Sequence, residues 1–116
     1  MKVLVCGGRT FNDRARVFSV LDRLHHTTPI TRVIHGGAPG ADRLAGAWAS
    51  LHTVPVSVFF AKWNELGRGA GHIRNAKMLT EGQPDLVLCF PGGSGTAHMH
   101  RIAMAAGVLT LTAAPI

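Results

Sequence analysis

Apolar positions along the chain alternate between short continuous runs and stripes of helical spacing. Val3-Leu4-Val5-Cys6 is an unbroken run closed by Gly7-Gly8, the pattern of a strand covered on both faces. After Asp13, placed as an N-cap or first-turn acid, Val17, Phe18, Leu21 and Leu24 recur at helical spacing until Thr27-Thr28-Pro29 ends the helix. Arg32-Val33-Ile34-His35 repeats the strand and Gly36-Gly37 the turn, and Ala41, Leu44, Ala45, Trp48 and Leu51 repeat the helix. Residues 54–60 read as a third strand, with Pro55 near its start where a missing N–H does least harm. Residues 61–71 hold three glycines and no period, which predicts a loop, and 73–79 read as a helix. A fourth strand over 85–90 runs into Pro91-Gly92-Gly93-Ser94-Gly95-Thr96. Met99, Ile102, Ala103 and Ala106 then share one face of a helix that ends at Gly107, and 108–111 supply a last strand.

Strands alternating with helices through short links predict an α/β protein. The expected architecture is a Rossmann-like open parallel sheet of about five strands, in order 3-2-1-4-5, with helices on both faces. Residues 1–116 are expected to form a single domain, since that length supports one core and no linker or repeat interrupts it.

Composition adds the choice of partner. Twelve Lys and Arg against six acids give a formal charge of +6, which favours anionic partners without choosing among nucleotides, nucleic acid and acidic metabolites. The basic residues are dispersed, so no polybasic arm is visible. No apolar stretch approaches the roughly 20 residues needed to cross a bilayer, so no membrane partner is expected. Met1 to Cys6 enters a strand pattern directly, and both cysteines lie in apolar runs. These features predict a soluble, cytoplasmic and reduced protein.

Fourteen glycines are more than a chain of 116 residues ordinarily holds. Three groups of them follow predicted strands: Gly7-Gly8-Arg9, Gly36-Gly37-Ala38-Pro39-Gly40, and Gly92-Gly93-Ser94-Gly95-Thr96. In a parallel sheet all such ends lie along one edge, where the ligand crevice of open α/β folds sits. Glycine lets backbone approach a ligand closely, and the following helix start offers unpaired N–H groups, so the turns are expected to converge on a phosphate. Tight turning alone is the alternative for any one of them. Arg9, Lys62, Arg68 and Arg74 fall near the same edge, where a guanidinium can pair with phosphate.

Other candidate residues keep two readings each. Asp42 either caps its helix or accepts hydrogen bonds from ribose hydroxyls. His35 either lines the crevice or is packed. Trp63 and Phe60 stand where one ring could stack on a base, whereas Trp48 belongs to a core face. The seven histidines and two cysteines make no metal-ligand spacing, so neither a metal nor any other cofactor is expected. Cys6 and Cys89 are explained as small buried hydrophobes.

Pro91-Gly92-Gly93-Ser94-Gly95-Thr96 resembles the P-G-G-x-G-T signature of the SLOG superfamily, which groups DprA, the LOG (LONELY GUY) phosphoribohydrolases and YpsA-like proteins. Gly7-Gly8-Arg9-x-Phe11-x-Asp13, His35-Gly36-Gly37-Ala38-x-Gly40-Ala41-Asp42 and Gly71-x-x-Arg74-Asn75 extend the resemblance to the YspA-type, YpsA-related subgroup. It implies a Rossmann-like fold and a nucleotide-derived ligand held by those loops. Relatives often associate, which leaves a homodimer open. In LOG enzymes the signature continues to a Glu that acts with an upstream Arg in cleaving the N-glycosidic bond of a nucleoside monophosphate. Arg74 corresponds to that Arg, and the Glu position is Met99.

Three functions follow as expectations. The first is binding of a nucleoside phosphate or ADP-ribose-like ligand as sensor or carrier. The second is a phosphoribohydrolase-like enzyme with Arg74 and Asp42 as catalytic residues. The third, less favoured, is DprA-like binding of single-stranded nucleic acid. A thioether at 99 cannot move a proton or stabilise an oxocarbenium ion, which places the binder first.

Overall fold

The computed structural model describes residues 1–113, with the Arg68 side chain outside the described residues. Five strands form one parallel sheet: β1 (Lys2–Cys6), β2 (Arg32–His35), β3 (Val56–Val58), β4 (Leu86–Cys89) and β5 (Leu109–Thr112), in the order β3-β2-β1-β4-β5. The expected strand order and Rossmann-like α/β class are therefore observed. The central register sets Val3 beside both Val33 and Leu86, and it brings Cys6 level with Cys89 at the top of the sheet.

Helices α1 (Arg14–Thr27) and α2 (Ala41–Leu51) cover one face, and α4 (Ala70–Thr80) and α5 (Ser94–Ala105) cover the other; the short α3 (Trp63–Leu66) precedes α4. The period-two alternation of β1 shares out its side chains. Val3 and Val5 join Val17, Leu21, Ala45 and Trp48 on the first face, while Leu4 and Cys6 join Ile34, Met78, Val87 and Met99 on the second. α1 starts where Asp13 Oδ1 accepts from the Arg16 amide at 3.0 Å, a cap that contributes about 1 kcal/mol. The indole N–H of Trp48 donates to Asp22 Oδ1 at 2.8 Å and its ring stacks on His52, tying α2 to α1.

Two expected elements differ. The third strand is confined to Val56–Val58, although flanking bonds from Val33 N to Pro55 O (3.0 Å) and from Phe59 N to His35 O (2.9 Å) extend its contact with β2. Residues 61–71 are not a plain loop: α3, a 3₁₀ turn over Gly67–Gly69 and the first turn of α4 occupy them. Gly71 lies in the first turn of α4 with the Trp63 ring over it, 3.3 Å from the place a Cβ would take. Its glycine marks a packing contact, not a break.

The turns after β1, β2 and β4 press backbone on backbone. Gly8 N donates to Pro91 O at 2.8 Å, and Gly8 O accepts from Phe11 N and Ala41 N. A Cβ on Gly92 would stand 2.6 Å from Gly8 N and 2.9 Å from Gly7 C, closer than carbon packs against backbone. Gly40 combines φ +84 with a Cβ direction aimed at the Gly8 carbonyl. At Gly93, by contrast, a Cβ would meet open space.

Gly92→Ala is therefore expected to lose about 1–3 kcal/mol through enforced overpacking. Gly93→Ala should lose under about 1 kcal/mol. Urea unfolding of both variants checks the difference, and equal losses would refute the account of the packed turns.

Candidate functional site

At the carboxyl edge of the sheet the turns enclose a cleft of about 820 Å³. That volume lies within the range of small-molecule sites. From the first turn Gly7, Gly8 and Arg9 line it, and from the third Gly92, Gly93, Ser94, Gly95 and Thr96. Trp63, Arg74 and Asn75 complete one wall, with Ala38 and Asp42 contributing from the second turn. His35, Gly36, Gly37 and Gly40 are not among the lining residues, nor is Lys62.

The third turn leaves donors open. α5 begins without a side-chain cap after Gly93, and its first backbone bond runs from Ala97 N to Gly93 O at 3.0 Å. The amides of Ser94, Gly95 and Thr96 therefore have no partner within the helix, and the positive end of its dipole faces the cleft.

The second turn behaves differently from the expectation that its amides face a ligand. Gly36 N and Ala38 N donate to Asp42 Oδ2 at 2.9 and 3.3 Å, and Gly37 N donates to His35 Nδ1 at 2.9 Å. Asp42 thus ties the β2–α2 turn from inside and does not cap α2, whose N-cap is Gly40 with no side-chain bond. Asp42 is 5% exposed, and burial raises its pKa against the lowering effect of those amides and of Arg74 and Arg9. His35, 6% exposed, packs beneath α2 with Nε2 against Gly46, so of its two sequence readings the packed one describes its place.

Arg74 is half-buried and braced on three sides. Nη1 donates to Gly36 O at 2.8 Å and to Phe59 O at 3.5 Å, and Nε donates to Asn75 Oδ1 at 3.1 Å. Among the described residues Nη2 has no acceptor. Asn75 in turn gives its amide hydrogens to Gly95 O and His98 Nδ1, each at 3.1 Å. This chain of bonds fixes the guanidinium relative to the start of α5. Burial lowers the pKa of Arg74, opposed by the neighbouring Asp42 carboxylate.

Cys6, Phe11 and His72 also line the cleft and were not singled out as site residues by the sequence. Phe11 packs on Phe90 with centroids 5.5 Å apart, and His72 stacks on His98 at 3.8 Å. Burial and then His72 hold His98 toward its neutral form. Phe60, offered as a stacking ring, is 71% exposed and outside the cleft, its edge turned to Gly37. Met99, at the LOG Glu position, is fully buried in the cluster with Leu4, Met78 and Cys89 and does not reach the cleft. Among the described residues no group of three His, Cys, Asp or Glu side chains could hold a metal, and no helix is long and apolar enough to cross a membrane.

Parallel sheet, strand order and converging glycine turns define an open α/β protein of the Rossmann-like class, with a cleft lined by Arg9 and Arg74 at its switch point. A family model described as "YspA, cpYpsA-related SLOG family" matches residues 1–65, a stretch that carries the first two glycine turns. The Gene 61 protein of Mycobacterium phage D29 is 38% identical over 115 residues, covering 92% of this chain and 91% of that protein. The chain belongs to the YspA, cpYpsA-related SLOG family.

His35 makes stability depend on pH. Burial, and after it Arg74, lowers its pKa from 6.5 to about 4. Between those values the unfolded chain binds more protons than the folded one, so stability falls as pH drops through about 6.5 and the loss levels off below about 4. The expected loss from this group between pH 7 and pH 5 is about 2 kcal/mol. Asp42, with its raised pKa, acts in the opposite direction. Urea unfolding at both pH values in wild type and His35→Gln isolates the histidine, and an identical pH response in the two proteins would refute the assignment.

Proposed function

We propose that the protein binds a nucleoside phosphate or a related nucleotide-derived ligand, such as one of ADP-ribose type, as a sensor or carrier. The observation that carries this reading is the meeting of two donors of fixed position in one cleft. One is the uncapped amide row at the start of α5, and the other is the braced Arg74 guanidinium. A phosphate satisfies both, with Arg9 adding charge from the facing turn.

The rest of the ligand follows from the lining. Asp42 Oδ2 is occupied by two amides, which leaves Oδ1 to accept from a ribose hydroxyl. Trp63, 49% exposed on the cleft wall, offers a face on which a base can stack. Family membership supports a nucleotide-related role, since the glycine turns stand where such ligands bind in the superfamily.

Binding is favoured over bond cleavage by the state of the acids. Asp13 caps α1, Asp42 is held by the second turn, and the LOG Glu position is a core methionine. Nucleic-acid binding draws on the same positive charge and is separated by its salt dependence, because each released phosphate counterion steepens the fall of affinity with salt.

Incubation with a panel of nucleoside monophosphates, followed by mass spectrometry and calorimetry, tests the reading. Retained, unchanged ligand is expected. Gly93→Val should keep its unfolding midpoint near that of wild type while weakening binding about 100-fold or more, the loss of two charge-assisted hydrogen bonds of about 1.5 kcal/mol each. Release of free base would convert the reading to a glycosidase. Retention of single-stranded DNA that vanishes steeply with salt, with no mononucleotide bound, would replace it by the nucleic-acid reading.

A further inference from the structure

Cys6 and Cys89 end β1 and β4 as an in-register pair, and their sulfurs are 3.4 Å apart. Both are free thiols on the face covered by α4 and α5. Packing accounts for one buried cysteine in that cluster, but it does not call for a second sulfur in contact with the first. Nor does it explain why the pair stands where one member, Cys6, lines the cleft.

The spacing of paired strands suits the main-chain separation of a cross-link. Neighbouring strands lie about 4.7–4.9 Å apart. That spacing is inside the roughly 4.4–6.8 Å between Cα atoms that a disulfide bridges. The sulfurs, already in contact, have to close from 3.4 Å to a bonded length of about 2.05 Å. We propose that Cys6 and Cys89 form an oxidisable dithiol that meets the cleft at Cys6, converted reversibly to an intramolecular disulfide by a small peroxide that enters through the cleft.

The chemistry balances with hydrogen peroxide as the oxidant. A thiolate attacks one peroxide oxygen, so an S–O bond forms, the O–O bond breaks and the departing hydroxide leaves as water with the thiol proton. The second sulfur then displaces the sulfenic hydroxyl, so the S–S bond forms, the S–O bond breaks and a second water leaves. Two thiols lose two electrons and one peroxide gains them. The Cys6 S–H donates to the Cys89 sulfur, which lowers the pKa of Cys89, while that bond and burial raise the pKa of Cys6. Cys6, the sulfur that lines the cleft, is the one held protonated, so ionisation falls to Cys89 behind it, and whichever is oxidised first has its partner in contact.

The position gives the bond a consequence. Cys6 directly precedes Gly7-Gly8, and Cys89 stands two residues before Pro91, the acceptor of the Gly8 amide. Oxidation would tie together the roots of the first and third turns. The thiol chemistry does not depend on what those turns bind.

Reduced full-chain protein treated with stoichiometric hydrogen peroxide tests the proposal by intact mass and peptide mapping. The expected product has lost the mass of two hydrogens, yields a linked peptide pair containing Cys6 and Cys89, has no thiol left to alkylate after denaturation, and returns to the starting mass with dithiothreitol. Cys6→Ser and Cys89→Ser, each checked for folding by circular dichroism, should gain oxygen instead. Both thiols still open to alkylation in the treated wild type would overturn the proposal, as would oxygen gained without the linked peptide or a cross-link between two chains.

Discussion

Direct contact between the main chains of three turns is the constraint on which the rest of the molecule depends. No side chain separates Gly8 from Pro91 and Gly92, and the same Gly8 carbonyl receives the amide that opens α2. Parallel pairing alone would bring the strand ends to one edge of the sheet. Only chain without side chains brings the loops close enough to share hydrogen bonds, and the cleft is the space that remains beside that contact. A methyl group at Gly92 or Gly40 acts on the architecture of the site, whereas one at Gly93 acts on its contents.

Within that frame the polar groups divide into those that hold the loops and those left open. The second turn is closed upon itself by Asp42 and His35, at the cost of burying a carboxylate and an imidazole whose pKa values shift accordingly. Arg74 belongs to both groups. Its bonds to Gly36, Phe59 and Asn75 tie β2, the chain after β3, and α4 together, and the same bonds keep one end of its guanidinium in a set position. A long cation that is free in solution loses much rotamer entropy on meeting an anion, and this one has already lost it on folding.

Much of the fold was legible because hydrophobic periodicity reports burial, and burial follows secondary structure closely in a two-sided sheet. The runs at 3–6, 33–35 and 86–89 and the helical stripe from Val17 to Leu24 each mark an observed element. Residues 61–71 are not legible from the pattern because glycine reads as a breaker, whereas Gly71 lies inside a helix with an indole packed against it. In the cleft, the convergence of the first and third turns followed from strand order. The inward commitment of the second did not, since a hydrogen bond from Gly37 to the ring of His35 leaves no periodic trace. Met99 was legible in both senses, as a departure from the LOG pattern and as a member of an apolar stripe, and its complete burial joins the two.

The two tryptophans occupy opposite surroundings in a chain that contains no tyrosine. Trp48 is wholly buried with its indole N–H bonded to a carboxylate, while Trp63 sits half in solvent on the cleft wall. Intrinsic emission from this protein therefore comes from two indoles alone, a blue-shifted one that registers the integrity of the α1–α2 side and a red-shifted one that registers the cleft. A single optical signal thus carries separable spectral components for the scaffold and for its site, built in by the placement of two rings.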